Sequence, residues 1–311
     1  MLYSRAKKFT LDEVPDQTGK IALITGSNTG LGFEAAKMLA FKNARVILAC
    51  RDFDKAHAAR LKILSDYPNA RVDVLSLDLG DLSSIHNAVE QLKEESHLDL
   101  LINNAGIMVP PYELTRDGFE SQFGVNHLGH FVLTCLLYDK LNKTQGARVV
   151  TVSSIMHWPI KRIDFDDIHA KCSYRRVYRY GMSKLSNLLF TYELNRKFQA
   201  RNSNLMAIAS HPGASNTELI RYFPKWIRWI IEPFIPILIS SAQRSALTTI
   251  RAATDPNAYG GAYYGPRGIG QISGLPVLVK SSRVSYDRNL AQRLWERSVS
   301  LTQVDLPEVN C

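Results

Sequence analysis

The chain has 311 residues, of which 38 are Lys or Arg and 29 are Asp or Glu, so its formal net charge is +9. This length allows one large α/β domain or two average ones, and it can bury a core without disulfide bonds. Its 45% hydrophobic and 22% charged residues exclude a disordered or fibrous chain. The basic balance leaves nucleic acid, a membrane surface or an anionic ligand as partner classes.

The cysteine pattern indicates the cellular compartment in which the protein is expected. Cys50, Cys135, Cys172 and Cys311 are widely spaced and form no CxxC or Cys/His cluster. The N-terminal segment lacks the apolar core of a signal peptide, and no run reaches the roughly 18 apolar residues that a membrane span needs. We therefore expect free thiols and a cytoplasmic protein.

The chain falls into a polar start and a long regular part. Residues 1–19 are mixed in charge and predict a surface arm. From residue 20 onward, short apolar runs alternate with segments of helical periodicity. The predicted strands are 21–25, 44–50, 71–77, 98–103, 147–153 and 204–210, and the predicted helices are 33–42, 54–66, 81–96, 116–141 and 179–200.

This alternation predicts βαβ units, and therefore a Rossmann-type α/β fold with a doubly wound parallel sheet and helices on both faces. The strands are apolar throughout, as expected when both of their faces are covered. Because no linker or second compositional block interrupts the pattern, we expect a single domain over 20–311.

A glycine-rich turn joins the first predicted strand to the first helix, with the sequence Thr25-Gly26-Ser27-Asn28-Thr29-Gly30-Leu31-Gly32. Glycines let a backbone turn sharply and approach a ligand without Cβ clashes. The following helix would offer free N–H groups and its positive dipole end to a phosphate. The spacing is GxxxGxG rather than the commoner GxGxxG. A tight turn without a ligand is the alternative, but the strand–turn–helix–strand context favours a nucleotide.

The end of the second strand predicts which nucleotide binds. An NAD site typically has an acidic residue about 20 positions past the glycine turn, where it holds the ribose 2′-OH. This chain has Cys50 followed by Arg51, with Asp52 one step further on. A guanidinium can pair with a 2′-phosphate and stack on adenine. Arg51 therefore favours NADP(H) over NAD(H), with a solvated surface arginine as the alternative.

Tyr180 and Lys184 stand four residues apart, so a helix would place both on one face. A phenol has an ordinary pKa near 10 and is a poor proton donor or acceptor at neutral pH until a nearby cation favours its charged form. Lys184 could be that cation, and Ser154, at the end of a predicted strand, could hydrogen-bond a substrate oxygen. Each motif alone is common, but together they lie at the sheet edge where ligands bind in such folds.

With these motifs the chain resembles the short-chain dehydrogenase/reductase family. The family's motifs occur in order as TGxxxGxG at 25–32, NNAG at 103–106, an asparagine at 126, a serine at 154, YxxxK at 180–184 and PG at 212–213. The resemblance spans 20 to about 300. Residues 49–52, 123–131, 211–213 and 291–295 look more narrowly like the branch of retinol dehydrogenases and WW-domain oxidoreductases.

The resemblance implies an oxidoreductase that interconverts a carbonyl and an alcohol with NADP(H). Tyr180 would be the general acid/base, and Lys184 would lower its pKa and bind the nicotinamide ribose. Ser154 would polarise the carbonyl, and Asn126 would hold a water that relays protons. The expected cofactor contacts are Gly26, Ser27, Asn28, Thr29, Gly30, Leu31, Gly32, Arg51, Asp78, Leu79, Asn104, Ala105, Gly106, Tyr180, Lys184, Pro212, Gly213 and Thr217.

Several of these expectations have a structural alternative. Asp78 could be a plain helix cap, and the NNAG turn could serve only to stabilise the sheet. A non-catalytic NADP(H)-binding sensor or scaffold on the same fold is the alternative function. A sensor would tolerate loss of the tyrosine or lysine, so the joint presence of Asn126, Ser154, Tyr180 and Lys184 favours an enzyme.

Other classes of site are not predicted. The histidines show no HxxxH or HExxH spacing, so we expect structural or solvated roles and no metal; they include His127, His130, His157, His169 and His211. The chain has no GxSxG motif of a serine hydrolase. The basic surplus is spread over many helices and is dense only at 171–179, which argues against nucleic acid.

Residues 222–239 are apolar and aromatic, but Lys225, Arg228, Glu232 and three prolines interrupt them, which excludes a membrane span. Because the segment near 214–240 follows the PG motif, we expect a lid over a bulky lipophilic substrate of retinoid, steroid or aldehyde/ketone type. Peripheral membrane contact through 222–239, a subunit contact and a buried core helix are the alternatives. The sequence leaves homo-oligomerisation open.

Overall fold

The computed structural model describes residues 8–213 and 241–308. Its sheet follows the order β3-β2-β1-β4-β5-β6-β7-β8 in this part of the chain. The strands are β1 Ile21–Thr25, β2 Arg45–Cys50, β3 Arg71–Ser76, β4 Leu100–Asn103, β5 Arg148–Val152, β6 Met206–Ser210, β7 Tyr263–Pro266 and β8 Pro276–Leu278. All neighbouring pairs from β3 to β7 are parallel, and β8 runs antiparallel to β7.

The helices cover both faces of the sheet. They are α1 Gly30–Phe41, α2 Phe53–Asp66, α3 Leu82–Gln91, α4 Ser121–Phe123, α5 Gly129–Leu136, α6 Tyr138–Asn142, α7 Arg176–Ala200, α8 Ala242–Thr254 and α9 Arg288–Thr302. Along β1, Ala22 and Ile24 pack into a core with α1, α2 and α8, whereas Ile21 and Leu23 pack into a core with α3, α5, α7 and α9. The alternation arises because successive strand side chains point to opposite faces. The predicted doubly wound α/β fold is confirmed.

The strand order reverses between β1 and β4, and this position locates the site. The chain leaves β1 toward β2 and β3 on one side, and then returns to β4 and continues on the other side. Ile24 pairs with Ile102 of β4, and Thr25 pairs with Ala49 of β2. The turns after β1 and β4 therefore diverge from a common crevice, which is where open α/β sheets bind ligands.

The helix predicted near 116–141 begins later in the structure than the sequence predicts, and it is not continuous. It begins at Ser121, because the Glu120 carboxylate accepts hydrogen bonds from the backbone N–H groups of Gln122 and Phe123, at 2.9 Å each. A π-helical turn, Gly124–Leu128, then separates α4 from α5. Apolar periodicity predicts a continuous helix here because it does not distinguish an i+4 ladder from a single i+5 turn.

The described part of the predicted surface arm, 8–19, is tied to the core. Phe9 and Val14 are buried in the cluster that includes α1 and α8. The backbone N–H of Gln17 donates to the carbonyl of Lys42 at 2.7 Å, and its side chain is fully buried. Two isolated apolar residues in a charged stretch thus anchor the segment, and its other described residues apart from Gln17 are exposed or half-buried.

Some predictions fall on residues that the structure does not describe. These are the lid or contact segment near 214–240, Thr217 and Cys311. Of the described cysteines, Cys50 and Cys135 are buried, Cys172 is exposed, and all three are free thiols. Within 8–213 and 241–308, no helix combines the length and apolar character needed to cross a bilayer.

Candidate active site

The glycine-rich turn after β1 lies tightly against the turn after β4. Gly26 has a φ of 63°, and a Cβ there would lie 2.9 Å from the Cα of Ala105. At Gly32 a Cβ would lie 2.5 Å from the carbonyl oxygen of Gly26 and would also clash with the Asn104 amide. Neither neighbour can move without displacing backbone. The two glycines are therefore required for the turn to reach this conformation.

A cleft of about 980 Å³ runs along the carboxyl ends of β1, β2 and β4. The predicted cofactor contacts that line it are Gly26, Asn28, Thr29, Leu31, Gly32, Arg51, Asp78, Leu79, Asn104, Ala105 and Gly106. Ser27 differs, because its hydroxyl donates inward to the Ile24 carbonyl at 2.8 Å and its side chain is fully buried. Gly30 begins α1 beside the cleft but does not line it.

The cleft suits a dinucleotide phosphate. Thr29 occupies the N-cap position of α1, but its side chain makes no capping hydrogen bond. The first-turn N–H groups of a helix lack partners within the helix, so those of α1 remain available beside the cleft. With the positive end of the helix dipole, they form a standard anion site. The residues present fit the pyrophosphate of NAD(P).

Two cations stand where β2 ends. Arg51 and Lys55 both line the cleft and are exposed to it. Asp52 lies between them: its carboxylate caps α2 by accepting the backbone N–H of Lys55 at 3.0 Å, and it pairs with Lys55 Nζ at 2.6 Å. The hydrogen bond from Lys55 lowers the pKa of Asp52. Lys55 was missed by the sequence analysis, although its position one helical turn after Arg51 could have indicated it.

The residues after β3 and β4 also make hydrogen bonds that stabilise the fold. The Asp78 carboxylate accepts the N–H of Gly80 at 2.8 Å, whereas the cap of α3 is Asp81. Asp78 is therefore not the helix cap that was the alternative interpretation. In the NNAG turn, the Asn103 amide donates to Thr134 Oγ1 at 2.9 Å, and the Asn104 amide donates to the Thr25 carbonyl at 2.8 Å. This turn joins strands and also lines the cleft.

Ser154, Tyr180 and Lys184 converge at the end of β5. Lys184 Nζ lies 5.7 Å from the centre of the Tyr180 ring, one turn earlier on α7, and the Ser154 hydroxyl is near enough to the Tyr180 phenol to influence its pKa. A Cβ on Gly106 would lie 3.1 Å from Asn126 Oδ1 and 3.4 Å from Lys184 Nζ. The four predicted catalytic residues thus meet beside the NNAG turn.

Burial shifts the pKa values of both titrating groups at this end, Tyr180 and Lys184. It raises the pKa of Tyr180 to about 12, while the nearby Ser154 hydroxyl acts in the opposite direction. Burial also lowers the pKa of Lys184 to about 8. Lys184 Nζ donates to the Val152 carbonyl at 3.1 Å. In this arrangement the protein side chains leave the phenol protonated at neutral pH, in contrast to the expected lowering by Lys184.

Asn126 lies in the π-helical turn, and both polar atoms of its amide make hydrogen bonds. Oδ1 accepts the N–H of Ile107 at 2.8 Å, while Nδ2 donates to the Ile107 carbonyl at 3.0 Å and to Ser183 Oγ at 2.9 Å. The side chain therefore holds α7 and the segment after the NNAG turn together.

The PG motif follows β6 at the same edge of the sheet. His211 is buried and hydrogen-bonds Gln271 at 3.0 Å, and the N–H of Gly213 donates to its Nδ1 at 3.2 Å. Gly213 has a φ of 75°. Pro212 and Gly213 do not line the nucleotide cleft, and Gly213 packs against Pro266 and Ile272.

A family model for the short chain dehydrogenases matches residues 20–228. The chain belongs to this family. Mouse retinol dehydrogenase 12 is 42% identical over 286 residues, covering 91% of this chain and 86% of that protein. A crystal structure of an uncharacterized Mycobacterium paratuberculosis protein is 40% identical, with a TM-score of 0.81, covering 97% of this chain and all of that one.

A more distant structure shares the fold. It is described as an NAD(P)-dependent gluconate 5-dehydrogenase of Beutenbergia cavernae, with NADP bound. It is 22% identical with a TM-score of 0.63, covering 80% of this chain and 96% of that one. The family match and the retinol dehydrogenase relatives make the chain an oxidoreductase of the retinol dehydrogenase branch that acts on alcohols or carbonyls.

Buried histidines support the backbone of this short chain dehydrogenase. His157 Nδ1 lies 2.6 Å from the Ser154 carbonyl, and its Nε2 accepts the N–H of Ser282 at 3.0 Å. Burial lowers the pKa of His157 to about 4. Across 8–213 and 241–308, no group of three or more His, Cys, Asp or Glu residues is arranged to hold a metal.

Proposed function

We propose that this short chain dehydrogenase interconverts a carbonyl and an alcohol on a bulky lipophilic substrate, using NADP(H). The observation that carries the proposal is the convergence of Ser154, Tyr180 and Lys184 beside Gly106, which lines a cleft large enough for a dinucleotide. A phenol beside a hydroxyl and followed by a buried ammonium is suited to exchange a proton with a substrate oxygen. A non-catalytic sensor would not require this arrangement.

In this mechanism the bound cofactor supplies or accepts the hydride. Ser154 donates a hydrogen bond to the substrate oxygen and orients it beside Tyr180. In reduction, the Tyr180 hydroxyl gives its proton to the oxygen that becomes the alcohol. Because the pKa of Tyr180 is raised to about 12, the phenol holds this proton at neutral pH until the substrate oxygen takes it.

The choice of NADP(H) is supported by charge at the end of β2. Arg51 and Lys55 present two cations to the cleft, and Asp52 is engaged as the cap of α2. A 2′-phosphate gains charge-assisted hydrogen bonds from such groups, whereas a ribose 2′-OH would favour a free carboxylate at this position.

The substrate class is supported by the names of the relatives. Retinol dehydrogenase 12 of the mouse and retinol dehydrogenase 13 of humans are 42% and 38% identical to this chain. We therefore propose retinoids first, followed by steroids and aliphatic aldehydes or ketones. Purified protein assayed with NADPH and NADH against this panel would identify the preferred carbonyl.

The decisive test is Tyr180→Phe. We expect its rate of carbonyl-dependent NADPH oxidation to fall by about 10²- to 10⁴-fold, the usual contribution of a general acid. Its affinity for NADPH, measured by fluorescence titration, should stay within threefold of wild type because the ring remains. Undiminished turnover would contradict the assignment of Tyr180, and a wild-type protein that binds NADPH but reduces no carbonyl would support the sensor.

We also propose a cytoplasmic location, supported by the free thiols. Cys50, Cys135 and Cys172 carry no disulfide, and the thiol of Cys172 is exposed. Exposed free thiols are typical of reducing compartments. Fractionation of cells expressing the protein, with thiol labelling of Cys172 before lysis, tests this location and would also detect peripheral membrane association.

A further inference from the structure

The imidazole of His130 touches both halves of the site. His130 lies on α5 and is 1% exposed. Its Nδ1 is 3.0 Å from the backbone oxygen of Asn126, and its Nε2 is 2.8 Å from Thr25 Oγ1. Asn126 belongs to the catalytic group, and Thr25 ends β1 directly before the glycine-rich turn. One buried side chain therefore connects two elements that are 105 residues apart in sequence.

The partners determine where the imidazole carries its proton. A carbonyl oxygen can only accept a hydrogen bond, so the contact with Asn126 requires a proton on Nδ1. Burial lowers the pKa of His130 to about 4, and the nearby Lys184 ammonium acts in the same direction. The ring is consequently neutral at physiological pH, and its Nε2 is an acceptor. The Thr25 hydroxyl donates to Nε2 at 2.8 Å, because its other acceptor, the Ile102 carbonyl, lies farther away at 3.4 Å.

Thr25 in turn supports the NNAG turn. Its Oγ1 accepts the backbone N–H of Asn104 at 3.0 Å and that of Ala105 at 2.9 Å. A hydroxyl has one proton and two lone pairs, so donation to His130 and acceptance from these two N–H groups use its full capacity. A proton on Nε2 of His130 would bring a third donor to the same oxygen. The cofactor turn is thus compatible with only one tautomer of His130.

We infer that His130 is a positioning residue that couples the nucleotide end to the catalytic end. As the neutral Nδ1–H tautomer, it holds the backbone of Asn126 through one nitrogen and orients the Thr25 hydroxyl toward the NNAG turn through the other. This inference rests on the proposed function, because it names what sets the separation between cofactor and catalytic groups. The sequence motifs show His130 four residues after Asn126 but not its contact with Thr25.

His127 provides a matched control on the same helical run. It is as buried as His130, but its Nε2 faces Ser298 Oγ at 2.9 Å on α9, and its ring packs among Phe123, Phe131 and Phe190. If His130 served packing alone, His127→Phe and His130→Phe would have the same effect on catalysis by the folded fraction. We expect a lower Tm for both, with kcat reduced only for His130→Phe.

Two further variants separate the contacts of His130. An asparagine amide can replace the Nδ1 donor, whereas a glutamine oxygen can replace the Nε2 acceptor. We therefore expect His130→Asn to retain kcat within twofold and to weaken NADPH binding by about three- to tenfold. His130→Gln should retain the NADPH affinity and lose about three- to tenfold in kcat. These factors correspond to one hydrogen bond in each variant.

The tautomer can be tested without any turnover. Nitrogen-15 NMR of the wild-type imidazoles should show one neutral ring protonated at Nδ1 whose signal is absent from His130→Phe. Hydrogen exchange at the amides of Asn104 and Ala105 should accelerate in His130→Asn more than in His130→Gln.

These readouts distinguish the two proposals. A wild-type protein that reduces no carbonyl would overturn the proposed function. The role of His130 would then be tested by the NMR, hydrogen-exchange and NADPH-affinity measurements, which need no turnover. A proton on Nε2, or equal losses of kcat and NADPH affinity in His130→Asn and His130→Gln, would overturn the positioning role.

Discussion

The nucleotide end of the site and the catalytic end beside it are built from different kinds of group. At the nucleotide end, the stretch 25–32 supplies glycines and helix-terminal N–H groups, and the segment after β2 adds the exposed cations Arg51 and Lys55. At the catalytic end, Asn126, Ser154, Tyr180 and Lys184 come from three separate segments, and burial shifts the pKa values of the last two. Backbone groups and exposed cations thus form one end, and polar side chains brought together by the tertiary fold form the other.

This difference predicts different responses to substitution. Changes at the nucleotide end should alter cofactor affinity and leave the chemistry of the bound complex intact. Changes at the catalytic end should alter proton transfer and its pH dependence. His130 is the exception, because it contacts both ends.

The largest effect among the remaining predictions is expected at Arg51. Arg51→Ala should weaken NADPH binding by about 10- to 30-fold, since a hydrogen bond to a charged group contributes roughly 1.5–3 kcal/mol and this one is exposed. NADH affinity should change less than threefold because NADH lacks the 2′-phosphate. Lys62→Ala, an exposed lysine on α2 that does not line the cleft, is the control. Equal losses for NADPH and NADH, measured by fluorescence titration, would contradict the assignment.

How much of the fold could be predicted depends on whether an element gives a local pattern in the sequence. The strands β1, β2 and β4 to β6 follow from continuous apolar runs, because both faces of the sheet are covered there. The edge strand β3 instead alternates, with Val72 and Leu75 buried and Asp73 exposed. The sequence pattern predicts no strand after residue 210, although β7 and β8 complete the sheet. These strands have four and three residues, and the second begins with a proline, so neither gives an extended apolar run.

The site could be predicted where its residues are contiguous or fit a fixed spacing. The glycine-rich turn and the pair Tyr180 and Lys184 are of this kind. Lys55 and His130 were not predicted as site residues, because their significance lies in what they contact: the cleft in one case and Thr25 in the other. The shifted pKa of Lys184 likewise results from tertiary burial, which motif spacing does not reveal.

The catalytic end should show a pH dependence that the nucleotide end does not. Because burial lowers the pKa of Lys184 to about 8, the ammonium is present below that pH and is lost as the pH rises through it. We expect kcat/KM for NADPH, which reports the free enzyme, to fall about tenfold between pH 7 and pH 9. Steady-state rates at saturating carbonyl substrate would measure this.

Lys184→Arg is the control for that profile, since a guanidinium stays charged throughout this range. Its activity should be lower than that of wild type, because the planar group does not match an ammonium, but its profile between pH 7 and pH 9 should be flat. A wild-type decline that persists in Lys184→Arg would assign the titration to another group.

The smallest effect is expected at Asp52, where the cap of α2 adjoins the cofactor cations. Asp52→Ala removes the acceptor for the N–H of Lys55 and should lower the Tm by about 2–4 °C. Asp52→Asn keeps a capping oxygen and should stay near the wild-type Tm. Both variants release Lys55 Nζ from its 2.6 Å ion pair, so NADPH should bind up to about threefold more tightly, with NADH unchanged. Weaker NADPH binding in both variants would instead show that the carboxylate orients Lys55 for the cofactor.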